Sequence, residues 1–408
     1  MLIQDLYNYL IRPEHLQTNG ARDFLQNAWA VFRVWTLLFA ISLLGIPISY
    51  VISNAYGTTF ADHAAYEYAA KRTFLQVIWG AVIFFPIWEE LVFRIGLRYR
   101  RFNLSLGLSF FAVYISRLIV IVLKIPRPIW LFSPDTLIGV LSILIPAVVL
   151  TILLWVTLSR IGDDKLESFY SRRYRFIFYL PLLVFALLHA LNYEREVWIF
   201  APLLVIPQLA LAAGFSYVRM KFGFQWTVAM HIFNNAFTFL PALILEEVSP
   251  AIMNQFIGGD FTAISRLPPR ETVIIFTFNI VWSTFFMLIF LSLASMIWEW
   301  VKGKKGRWKY AVISSSLNCL LPGLGQFYNN QERKGKILIG AFMVFSLFAM
   351  IPMSLPANYY SMERLFNWGM VLMAGYLAIY MYAITDAWIV GRRLDKAETI
   401  NIGIDQTA

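Results

Sequence analysis

The chain predicts an all-α fold, a polytopic membrane helix bundle, on three observations. It is 59% hydrophobic and only 14% charged, too little charge to cover the surface of an ordinary soluble domain. Apolar runs recur along its 408 residues, each close to the roughly 20 residues that a helix needs to cross hydrocarbon. Basic residues gather between alternate runs, as expected where short Lys- and Arg-bearing loops stay cytoplasmic.

Residues 1–30 read as an interfacial segment. Residues 2–11 form a short amphipathic helix, and no small-residue cleavage site follows an early apolar core, so a secretory signal is not expected. Eight runs follow, near 31–54, 74–97, 103–123, 135–158, 174–192, 197–218, 224–245 and 272–299, forming a core of about eight spans over 31–300. Arg98, Arg100 and Arg101 follow the second run, Arg172, Arg173 and Arg175 the fourth, Arg219 and Lys221 the sixth, and Lys302 to Lys309 the eighth. Loops 55–70 and 246–265 carry almost no Lys or Arg, which places both termini in the cytoplasm.

Residues 301–310 read as a basic linker to a second block, 311–393, before a polar tail over 394–408. Its opening run is interrupted by Pro322, Gly323 and Gly325 and makes a poor spanning helix. The last two runs, near 336–355 and 366–390, pair as a C-terminal helical hairpin.

The net charge of +10 is then a topology signal, and no soluble basic surface exists to engage nucleic acid. A single cysteine, Cys319, excludes an intrachain disulfide and a cysteine-based metal cluster. There is no Gly-x-Ser-x-Gly elbow, no His-Glu-x-x-His helix and no P-loop, and Gly258-Gly259-Asp260 lacks the aspartyl Gly-x-Gly-Asp spacing.

Against this background Glu89, Glu90 and Arg94 stand out, because each charge at bilayer depth costs about 2.5–3.5 kcal/mol or more. Glu90 and Arg94 are one helical turn apart and can pair, whereas Glu89 is rotated away and needs water, a histidine or a substrate. A carboxylate in a low-dielectric cavity holds its proton closer to neutral pH, which suits a general base. Of four histidines, His189 and His231 lie in apolar runs, with Phe185 four residues before the first and Asn235 four residues after the second. His231 and Asn235 therefore project hydrogen-bonding groups from one helix face. His15 and His63 lie in polar segments and read as solvated.

Glu89-Glu90-Leu-Val-Phe-Arg94, Phe185-Ala-Leu-Leu-His189 and His231-Ile-Phe-Asn-Asn235 resemble, in order, the EExxxR, FxxxH and HxxxN motifs of the CPBP (ABI) intramembrane proteases. That group includes CAAX prenyl endopeptidases and bacteriocin-processing or immunity proteins. The resemblance implies that Glu89 activates the attacking water, that His189 assists or positions it, and that His231 and Asn235 stabilise the oxyanion. Glu90, Arg94 and Phe185 would be support. It also implies a membrane-associated or lipidated peptide or protein as substrate, and no required cofactor. A zinc ion held by Glu89, His189 and His231 stays open beside the favoured metal-free reading. The segment Pro322-Gly-Leu-Gly-Gln-Phe-Tyr-Asn329 resembles a small membrane domain widespread in bacteria, which points to a prokaryotic cytoplasmic membrane.

Hydropathy sets Glu89 and His231 toward the inner half of their runs but His189 near the outer end of the fifth. Residues that act together must share a depth, so the fifth run is displaced, broken at Pro181, or bounded differently. The alternatives to a protease are a non-catalytic immunity or scaffold protein of the same fold and a proton-coupled transporter, since Glu, His and Arg within spans also build proton relays. Oligomeric state is not legible.

Overall fold

The structure is a computed structural model that describes residues 2–14, 23–43, 45–56, 72–122, 137–193, 195–248, 269–302, 310–354 and 362–405. His15, His63, Gly258-Gly259-Asp260 and most of the loops 55–70 and 246–265 and of the linker 301–310 lie outside the described residues. Among the described residues every regular element is helical. Six helices are long and apolar enough to cross a membrane, or seven if the bent pair Arg195–Leu204 and Ile206–Lys221, which meet at 45°, is one span. The protein is an all-α polytopic membrane bundle.

The spans near 74–97, 103–123, 135–158 and 174–192 appear as Phe74–Leu97, Arg101–Val120, Leu137–Ser159 and Tyr174–Asn192. The first extends earlier than expected, as Phe24–Tyr56, and the last in the core narrows to Ile280–Ile297. The run near 224–245 forms a 25-residue helix that is not among the six. At about 1.5 Å per residue it has the length to cross, but His231, Asn234 and Asn235 dilute its apolar character. The two C-terminal runs are helical and also fall outside the six.

Contacts divide the chain into two compact units, Leu2–Leu243 and Ile244–Ala408. The helix Pro269–Lys302, expected in the 31–300 core, belongs with the second unit: its Ala294 shares a core with Leu317, Leu321, Leu324 and Tyr328.

In the first unit, α1 (Leu2–Ile11) buries Leu6 and Tyr9. It is followed by α2 (Phe24–Ser42), α3 (Gly45–Tyr56), α4 (Phe74–Val77), a π-helical turn (Ile78–Phe84) and α5 (Phe85–Phe93). Then come α6 (Arg101–Val122), α7 (Leu137–Ser159), α8 (Asp163–Arg172), α9 (Tyr174–Leu188), α10 (Ala201–Leu204), α11 (Ile206–Lys221) and α12 (Phe224–Val248). Polar contacts dock α1: Tyr9 Oη lies 3.1 Å from Tyr174 Oη, Tyr217 Oη donates to Asp5 Oδ2 at 2.6 Å, and Lys221 forms an ion pair with Asp5.

In the second unit, α13 (Pro269–Lys302) precedes α14 (Tyr310–Leu320), α15 (Leu324–Tyr328), α16 (Glu332–Ser354) and α17 (Met362–Asp405). As expected of the interrupted run, α14 has 11 residues, about 16 Å, too short to span. Gly323 ends the turn with φ of 106°, a left-handed conformation that favours glycine. Asn318 Oδ1 accepts from the Gly323 and Gly325 amides at 2.9 and 3.0 Å, while its Nδ2 donates to Ala383 O at 2.7 Å. Thus one side chain closes the Pro-Gly-Leu-Gly turn and ties it to α17. Tyr376 of α17 donates to Ser346 of α16 at 3.0 Å, pairing the two long helices.

Candidate functional site

Three backbone features position the two glutamates. Thr73 and Gln76 form a capping box that starts α4, with bonds of 3.4 and 3.0 Å. The π turn follows, where Phe85 N–H reaches back five residues to Gly80 O. The next residue, Pro86, has no N–H, so Ala81 O is left without a helical donor. Lone π turns occur disproportionately beside functional sites, and this one sits one turn before Glu89. At the far end, Arg219 of α11 donates from Nε to Arg94 O and from Nη2 to Ile95 O, both at 3.1 Å. A cation on the last carbonyls is the favourable arrangement for the helix dipole.

The charged groups then close on one another. Glu90 and Arg94 are fully buried and paired, with Arg94 Nη1 3.2 Å from Glu90 Oε1. His231 Nδ1 lies 2.8 Å from the same Oε1. On the other edge of the ring, Nε2 lies 3.5 Å from Glu89 Oε2. Two carboxylates therefore bracket one imidazole, and they differ in setting: Glu90 is sealed, whereas the Glu89 side chain is 23% exposed.

Donor chemistry fixes the tautomers. Arg94 is always a donor, and Glu90 Oε1 accepts from it, so the Nδ1 edge of His231 carries a hydrogen toward that oxygen. At His189, Nδ1 lies 2.8 Å from Phe185 O, a pure acceptor, so Nδ1 donates and Nε2 is the free edge.

Phe185 of α9 enters this cluster. Its ring lies 3.9 Å from the Arg94 guanidinium carbon, 5.4 Å from Phe93 and 6.2 Å from the His231 ring. The helix continues through Pro181 to Leu188 and gives way to a tighter turn at His189, so it is not broken at Pro181. Shared depth with the charged cluster is thus carried by Phe185. His189, half-buried, lies beside Phe185 with ring centroids 4.7 Å apart and tilted at 54°, and makes no hydrogen bond to Glu89 among the described residues.

Asn235 has a defined structural task. Its Nδ2 donates to Ala81 O at 2.8 Å, satisfying the carbonyl that Pro86 orphans. Asn234 Nδ2 donates to Asn235 Oδ1 at 3.3 Å, and Trp35 Nε1 donates to Asn234 Oδ1 at 3.2 Å. The relay begins at a group that only donates and ends at one that only accepts, which fixes both amide orientations. One N–H of Asn235 remains for other work.

Sequence reasoning missed four contributors. Phe215 of α11 stacks on His231 at 4.4 Å and 21°, and its ring also lies 5.5 Å from Arg94. Arg219, Asn234 and Trp35 act as above. Arg219, in the last turn of α11 beside Lys221, reads in the sequence as a topology cation, and Phe215 and Trp35 carry no signal that separates them from core aromatics.

The zinc alternative is not assembled. Among the described residues no three His, Cys, Asp or Glu side chains are grouped to hold a metal ion. Compared with family models, curated proteins and solved structures, the chain has no match.

Proposed function

We propose that the protein is a glutamate-type intramembrane endopeptidase of the CPBP kind, acting on a membrane-associated or lipidated peptide from a prokaryotic cytoplasmic membrane with both termini inside. The observation that carries the reading is the imidazole of His231 held between Glu90, which Arg94 neutralises, and the partly accessible Glu89.

In this mechanism Glu89 takes a proton from water, and the resulting hydroxide attacks the scissile carbonyl carbon. Charge develops on the carbonyl oxygen. Because Nδ1–H is committed to Glu90, only a protonated Nε2 of His231 can donate to that oxyanion, beside the second N–H of Asn235. The tetrahedral intermediate collapses as the C–N bond breaks, and the proton held by Glu89 passes to the leaving amine. His189, with Nε2 free, helps orient the water.

The test is cleavage of a panel of lipidated and membrane-anchored peptides by the wild type, Glu89→Gln and His231→Ala, with and without a chelator. Loss in both variants with no chelator effect supports the reading; chelator sensitivity would restore a metal. The second reading, a non-catalytic immunity or scaffold protein, is favoured by the use of Asn235 as a backbone cap. No cleavage by folded wild type across the panel would select it.

A further inference from the structure

We propose that the groove between the end of α1 and the α8–α9 junction binds the phosphate-bearing headgroup of an anionic lipid. This is independent of the proteolytic reading. The groove has a volume of about 520 Å³ and is lined by Glu14, Ser171, Arg172, Arg173, Arg175 and Phe176, among others. Three arginines and one glutamate line it, a balance of two positive charges. Arg172 spends Nε on Ser168 O at 3.3 Å, which leaves its Nη groups to donate. Guanidinium forks match phosphate oxygens in pairs.

Position separates a lipid from soluble phosphate. The groove lies where the membrane-crossing segment Tyr174–Asn192 begins, the level at which headgroups sit. Phe176 lines it with 63% of its surface exposed, an apolar face suited to acyl chain. A second groove of about 450 Å³ shares Glu14 but is charge-balanced, with Asp5 and Glu14 against Arg12 and Lys221, and Lys221 is paired with Asp5, so the net positive charge is confined to the first groove. Basic pockets at the ends of spans are the standard means of holding anionic headgroups.

The test is native mass spectrometry of the full chain taken from vesicles of equimolar phosphatidylglycerol and phosphatidylcholine. The wild type is expected to retain the anionic lipid about tenfold over the zwitterionic one, equivalent to about 1.4 kcal/mol. R172Q/R173Q/R175Q should fall to parity, and R392Q/R393Q, in the other unit, should not. Should the triple variant fail to fold, Glu14→Gln decides, because removing the lone carboxylate should raise the preference. Parity in the wild type, or a preference unmoved by Glu14→Gln and by the triple variant, overturns the proposal. Displacement of the lipid by millimolar inorganic phosphate overturns the lipid assignment in favour of a soluble phosphate site.

Discussion

Asn235 Nδ2 donates to the Ala81 carbonyl across 2.8 Å, supplying the hydrogen bond that Pro86 cannot make. The π turn, the proline and the amide form one device that sets the rotation of Glu89 and Glu90 about the helix axis. Asn235→Leu should leave a buried carbonyl unsatisfied and cost about 1–3 kcal/mol. Pro86→Ala restores a backbone N–H, so the double variant should recover much of that loss in a thermal-unfolding cycle. Simple additivity of the two changes would contradict the coupling.

Glu89 and Glu90, though adjacent, should respond differently to substitution. Arg94→Met strands the buried Glu90 charge and is expected to destabilise by about 3–5 kcal/mol. Glu89→Gln, at a partly exposed side chain with one partner at 3.5 Å, should change the midpoint of thermal unfolding little. Equal destabilisation by both would show that Glu89 is structural.

The docking of α1 should weaken in acid. Burial alone would raise the Asp5 carboxyl, but hydrogen bonds from Lys221 and Tyr217 outweigh it and hold the group below its ordinary 3.8. A depressed folded value means that the stabilisation is complete above 3.8 and is lost as pH falls through the lower folded value. Hydrogen-exchange protection over residues 2–11 should drop in that window, and Asp5→Asn should flatten the response. An unchanged profile in the variant would contradict it.

Gly325 is required by close packing. A Cβ there would collide with the Ser314 carbonyl and the Asn318 amide that closes the turn. Gly325→Ala should destabilise the Ile244–Ala408 unit by about 1–3 kcal/mol, read as earlier proteolytic cleavage within it. Wild-type resistance would mean that the turn shifts freely.

Much of this architecture was legible beforehand, for physical reasons that also mark its limits. Runs without a charged residue, such as 137–159, announce themselves because hydrocarbon tolerates little else. The Glu90–Arg94 pair and the shared face of His231 and Asn235 follow from helical period alone. The span count did not, because a helix carrying His231, Asn234 and Asn235 trades apolarity for chemistry. Nor did the domain boundary: the basic segment after Lys302 suggests a linker, but Ala294 packs with Leu317 and Leu321. Phe215 and the Asn235 cap depend on contacts between distant segments, which spacing does not encode.

The most direct test of the central claim compares peptide cleavage by wild type and Glu89→Gln, matched for thermal stability, on one membrane-anchored substrate that the wild type cuts. The account predicts a loss of about 10²–10⁴-fold in turnover with the fold retained, the range for removing a general base. Cleavage by Glu89→Gln at the wild-type rate would contradict it.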